Sequence, residues 1–156
     1  MDNHEEEPTM TKFISGLKLS ETFFKIAVKP IMEEVFPEIE YAAGRLDYGS
    51  DLLGFDTPMS MDHGWGPKVT LYLREDQYEI YHEILDLYFS NHLPFTIQGF
   101  PTNFGEPLAD GGVMSHKDNY PIHHMITITT LKNWFWDYLG VNVNHHLTSA
   151  VWLTIP

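Results

Sequence analysis

The densest group of chemically capable side chains runs from Tyr48 to Pro67, YGSDLLGFDTPMSMDHGWGP. A strand that ends in Gly49-Ser50 and opens a helix presents backbone N–H groups and a hydroxyl to a phosphate, with glycine allowing the close approach. Asp62 follows twelve positions after Ser50, ahead of the next strand. A carboxylate there could hold a hard cation such as Mg²⁺ beside the same phosphate. Arg45, Lys68 and Arg74 supply positive charge, although such side chains more often sit solvated or paired with an acid. Each feature also has a plain structural reading. Gly49-Ser50 makes an ordinary turn, Asp62-His63 a turn-forming pair, and Trp65 a core residue rather than a ring on which a base stacks.

Nine histidines and no cysteine raise a second metal chemistry. The pairs His123-His124 and His145-His146 cannot chelate alone on a strand, where neighbours point to opposite faces. His63, His116 and His123, brought together with Asp62, would make a mixed His/carboxylate site suited to a transition metal.

The elements that must position these groups follow from periodicity. Phe23, Ala27, Ile31 and Val35 recur every four residues. They predict a helix within 17–36 that starts near Ser20-Glu21, is kinked or split by Pro30, and stops at Pro37. Residues 41–48 read as a strand running into the Gly49-Ser50 turn, and 51–55 as a short helical or irregular piece. The alternating, β-branched run 68–73 predicts a strand. Residues 75–92 predict an amphipathic helix with the acidic Glu75-Asp76 pair at its start.

A short strand is expected over 95–98. Residues 99–121 form a long Gly/Pro/Asn/Asp-rich loop of the kind that is mobile or functional. A strand over 122–130 and a helix over 131–139, closed by Gly140, complete the pattern. Residues 1–11 read as a disordered acidic lead-in, 12–146 as the domain, and the apolar 147–156 as the start of a truncated C-terminal helical region. The order of elements predicts an α+β fold, a mixed sheet of about four to five strands with helices mainly on one face.

Charge narrows the partners. Twenty-two acidic against nine basic residues give a net charge of −13, so long nucleic acid is disfavoured, since its affinity rests on Lys and Arg displacing counterions. A small phosphorylated ligand carrying its own cation is not. Without cysteine there is no disulfide framework, thiolate nucleophile or Cys-ligated zinc. The acidic, polar start is the reverse of a secretory leader, and no apolar run approaches the roughly 18 residues of a membrane span. The expectation is a soluble, cytoplasmic protein, with the apolar C-terminal stretch as a surface for self-association or docking.

The Gly49-Ser50/Asp62 spacing resembles the nucleotidyltransferase signature of the DNA polymerase β-like superfamily. More narrowly, Gly54-Phe-Asp-Thr-Pro-Met-Ser-Met-Asp-His-x-Trp-Gly-Pro67 resembles the uncharacterised DUF4037 family, whose N-terminal domain is nucleotidyltransferase-like. The segments FISGL (13–17), QGFPT (98–102), FWDYLG (135–140) and WLTIP (152–156) extend the likeness over residues 12–156. The resemblance implies a nucleotide or phosphorylated small molecule held by Gly49 and Ser50. It implies Asp62 as the catalytic residue through a bound metal, with His63 beside it as metal ligand, and Lys68 or Arg45 as the group that neutralises departing charge. It implies Mg²⁺-dependent nucleotidyl transfer to a small-molecule or protein hydroxyl.

In that signature two aspartates at i and i+2 share one face of an extended segment and bind two cations about 3.5–4 Å apart. This chain departs from it. Position 64, where the second aspartate belongs, is Gly64, and neither 95–98 nor 122–130 offers a third acid. Asp47, Asp51 and Asp56 stand nearby as substitutes that spacing does not separate. The alternative expectation is a catalytically degenerate binding or assembly module.

Overall fold

Strand β2 (Lys68–Leu73) is buried along its whole length, and its alternation decides what lies on either side. The computed structural model describes residues 12–62, 64–105 and 112–143, with positions 148, 149 and 153. The expectations for 1–11, for most of 147–156, for His63 and for His145-His146 therefore lie outside the described residues, as does the side chain of Asp62. β2 is the middle strand of three. β1 (Tyr41–Gly44) runs antiparallel to it, with Tyr41 opposite Leu73 and Gly44 opposite Thr70. β5 (Met125–Thr130) runs parallel, with Val69 opposite Ile126 and Leu71 opposite Ile128.

Because side chains alternate across a strand, the register sorts the sheet into two faces. Val69, Leu71 and Leu73 lie with Ile126 and Ile128 on one; Lys68, Thr70 and Tyr72 lie with Thr127 and Thr129 on the other. The first face meets Leu19 and Phe23 from α1 (Gly16–Phe23) and Leu85 and Phe89 from α3 (Glu75–His92) in one apolar core. α4 (Leu131–Leu139) has no buried residue.

The fold is thus α+β, with five strands among the described residues, within the four to five expected, divided between a three-stranded mixed sheet and a separate hairpin. The first strand of the hairpin falls within the strand expected over 95–98, and the second within 99–121, where a loop is expected. Gln98 (φ 50°) and Gly99 (φ 84°) turn β3 (Thr96–Ile97) directly onto β4 (Phe100–Pro101), two successive positive φ values being the mark of a tight hairpin turn that suits the strand twist.

The bounds of β2, α3 and α4 agree with the sequence reading. Thr130 Oγ1 accepts from the Asn133 N–H at 3.1 Å to open α4, and Gly140 at φ 63° closes it.

The first helix stops ahead of Pro37 as expected, its last residue being Val35, but starts elsewhere. It begins at Gly16, four residues before Ser20, because the Gly16 N–H donates at 2.6 Å to Asp56, forty residues away; no local periodicity carries that cap. Pro30 leaves the chain helical. A π-helical turn over Phe24–Val28 leads into α2 (Lys29–Val35), and the wider turn spares the proline ring its clash with the preceding carbonyls. β5 starts at Met125 rather than Ile122, since Ile122 and His123 give their N–H groups to Ser90 and the Asn103 side chain. No described helix is long and apolar enough to cross a membrane.

Candidate functional site

Beyond β1 the chain turns into the interior, and Arg45 goes with it. Its side chain is only 5% exposed. The guanidinium donates to Asp47 Oδ1 and to Asp51 Oδ2, each at 2.9 Å, and to Ser20 Oγ at 3.2 Å. A charge is buried at tolerable cost only when paired and hydrogen-bonded, and here one base is shared by two acids. Asp47 and Asp51, two of the three acids that spacing left equivalent, are thereby assigned to Arg45. The third, Asp56, accepts from the Gly16 N–H and from Trp65 Nε1 (3.2 Å).

Gly49 sits at φ 141°, and a Cβ there would collide with the Asp51 carboxylate, so glycine is demanded both by conformation and by space. Ser50 opens a single turn, closed by the Phe55 N–H on the Ser50 carbonyl at 2.9 Å. The strand therefore leads into a turn and not a helix, and the helix-terminus field expected at Ser50 is not built. Pro58–Asp62 form a 3₁₀ turn in which the Ser60 hydroxyl accepts from the Thr57 N–H.

Gly64 has φ 61°. Its N–H donates to the Gly112 carbonyl at 2.9 Å, and its carbonyl accepts from Lys68 Nζ at 2.5 Å. The departure at position 64 is thus also a left-handed turn, a backbone state that costs a side-chain-bearing residue about 1–2 kcal/mol.

These segments meet at a cleft of about 220 Å³ lined by Gly49, Ser50, Asp51, Ser60, Gly64 and Lys68, with Tyr48 and Trp65. Gly49, Ser50 and Lys68 are brought together as the sequence reading required, and Arg45 lies behind them, joined through Asp51. Asp62 ends the turn that contributes Ser60. Arg74 is elsewhere, 61% exposed and paired with Asp76 and Glu40. Part of the long loop backs the cleft: Gly112 holds Gly64, and Phe104 and Met114 pack so closely on Gly66 that a Cβ would meet them at 2.7 and 2.9 Å.

Burial lowers the proton affinity of the Lys68 ammonium below the usual lysine range, and the neighbouring Arg45 charge lowers it further, against the pull of Asp51 and Asp47. Among the described residues no group of three His, Asp or Glu side chains could hold a metal ion. The carboxylates nearest the cleft are engaged by Arg45, so the described donors do not make up a two-metal centre.

Trp65 is a core residue, 3% exposed, stacked on Phe13 with ring centroids 5.9 Å apart and edge-on to Phe100. Ser60 and Tyr48 are the cleft residues that sequence reasoning missed. A tyrosine directly before Gly-Ser was the available signal for the latter.

The class defined by fold and site is an α+β domain with a small polar cleft at the turn after its first strand. No family model, curated protein or solved structure matches the chain.

Proposed function

We propose that this domain binds a nucleotide or another phosphorylated small molecule in the Gly49–Ser50 cleft and holds it rather than turning it over. The supporting observation is the convergence on one cleft of a glycine–serine turn, a second hydroxyl from Ser60 and the buried Lys68 ammonium. Each is a group that recognises phosphate oxygen. Mg²⁺ is the cation we assign to the bound phosphates, with Asp62 as its protein ligand and His63 as its neighbour. The cytoplasm, where such ligands are abundant, is the proposed setting. Gly64 favours binding over nucleotidyl transfer, because it contributes no carboxylate.

Isothermal titration with nucleoside triphosphates, with and without Mg²⁺ or Mn²⁺, tests this. Metal-dependent binding that is lost in Lys68→Met and weakened in Asp62→Ala is the expected result; no heat with any nucleotide overturns it. Affinity should fall as pH rises toward the lowered Lys68 range, since only the charged ammonium attracts phosphate.

The second reading is an assembly module. Its support is the exposure of α4, which has no buried residue and where Leu131, Trp136 and Tyr138 are 53%, 60% and 47% exposed. Sedimentation showing a concentration-dependent dimer, together with silence toward nucleotides, would favour it.

A further inference from the structure

Helix α3 buries one face and leaves a second apolar row in water. Leu85 and Phe89 enter the core, whereas Ile80, Ile84 and Leu87 are 62%, 49% and 65% exposed. Their spacing, four residues and then three, sets them side by side along the helix. Single exposed aliphatic residues are ordinary, but a contiguous row marks a contact surface. We propose that this row is the docking site for a basic amphipathic helix of a partner protein. None of its residues lines the phosphate cleft, so the two sites stand or fall separately.

Charge selects the occupant. Beside the aliphatic row runs a second one, Glu75, Glu79, Glu83 and Asp86, each about a turn from the next. Lys132 reaches Glu75 at 3.8 Å, and His124 reaches Asp86 at 3.6 Å, both from other elements. Glu79 and Glu83 lie between them, exposed, and α3 itself contains no lysine or arginine. Among the described residues Glu83 meets no closer base than His82, at 3.9 Å. Like charges four residues apart on a helix repel.

A partner helix with lysines or arginines beside its own apolar row relieves that repulsion while it covers the aliphatic side chains. Glu83 is three residues from Ile80 and four from Leu87, so both kinds of contact fall within one turn. Anchors at this spacing are those by which helices are recognised.

Other occupants lack the match. A second copy of α3 brings the same acids and no base to offer them, and the whole chain carries −13. An anionic lipid surface is repelled by the same row.

The probe is a helical peptide of about 18 residues built from leucine and lysine, with leucine at i, i+3, i+4 and i+7. It is titrated onto the full chain by fluorescence anisotropy at low and at physiological salt. Two counterparts replace every lysine by glutamate, or every leucine by serine. The lysine–leucine peptide should bind at least about tenfold tighter than either. Ile80→Gln/Leu87→Gln should weaken it about tenfold or more, glutamine being chosen because it keeps helix propensity, and urea unfolding checks that this variant is folded. Glu79→Gln/Glu83→Gln should weaken it less and flatten its salt dependence. Ile26→Gln, at an aliphatic residue 59% exposed on the π-helical turn, should leave it unchanged.

Equal binding of the glutamate peptide overturns the charge match. Equal binding of the serine peptide, no loss in Ile80→Gln/Leu87→Gln, or no binding of the lysine–leucine peptide overturns the docking site. A concentration-dependent dimer dissociated by Leu87→Gln gives the surface to a second copy, and adsorption to phosphatidylserine vesicles lost in that variant gives it to a membrane. Either result overturns the proposal.

Discussion

The two faces of the central sheet solve the same problem of burial by opposite means. On one, Val69, Leu71 and Leu73 meet Leu19, Phe23, Leu85 and Phe89, and apolar surface is removed from water with no polar accounting to satisfy. On the other, Lys68, Thr70 and Tyr72 are equally buried but lie in reach of Arg45 and Asp47. The apolar face tolerates any good fit, since dispersion and the hydrophobic effect have no preferred direction. The polar face tolerates one arrangement, because each desolvated charge must find its particular partner. The cleft opens from the polar side, where groups able to hold a charged ligand have already been stripped of water.

Substitutions should separate the two faces. One of the two largest effects is expected for Asp51→Ala. It leaves the buried Arg45 with Asp47 as its remaining acid partner and should cost about 3 kcal/mol in urea unfolding. The Arg45→Met/Asp51→Leu pair should recover part of that loss, because the expense lies in an under-compensated charge and not in lost volume. A single-variant cost under about 1 kcal/mol would mean that the polar layer is not cohesive.

Next is Leu71→Ala on the opposite face, fully buried, at about 3 kcal/mol. No second substitution at a polar partner should rescue it. Coupling energy near zero between Leu71→Ala and Asp51→Ala would show the faces to be energetically separate, whereas strong coupling would break the distinction.

The smallest effect concerns pH, and the group responsible sits on the apolar side. His124 packs edge-on to Phe89; its Nδ1 accepts from the Ile126 N–H at 3.2 Å, and its Nε2 faces the Asp86 carbonyl at 3.2 Å. Burial first, opposed by Asp86, lowers its proton affinity from the ordinary 6.5. The unfolded chain then binds more protons than the folded one just below that pH. His124 therefore contributes stability that is fully present above about 6.5 and lost as pH falls, at no more than about 1.4 kcal/mol per pH unit. Unfolding midpoints measured between pH 5 and 8 should flatten in His124→Asn, whose amide oxygen can accept the same N–H at every pH. An unchanged slope would remove His124 from the account.

How much of this was legible depends on how far each signal travels along the chain. The strand over 68–73 and the helices over 75–92 and 131–139 were readable to their ends, because alternation, helical spacing, the Thr130 cap and the Gly140 stop are all local. Spacing paired Gly49-Ser50 with Asp62, and Lys68 was one of three candidate charges, of which it is the one that borders the cleft. That Asp47 and Asp51 would be taken by Arg45 was not legible, since their positions in the sequence are equivalent to that of Asp56. Nor was the early start of the first helix, whose cap comes from Asp56, whereas Trp65 is the core residue that was expected.

The sequence alone determined which segments become helix or strand, where most of them stop, and which stretch is dense in phosphate-recognising groups. These are properties of neighbours within a few positions, and covalent geometry enforces them. Tertiary structure decided which acid each buried base would hold and how five strands divide into a sheet and a hairpin. Those outcomes depend on groups far apart in the chain competing for the same partner, and the competition is resolved only once burial has removed water as the alternative.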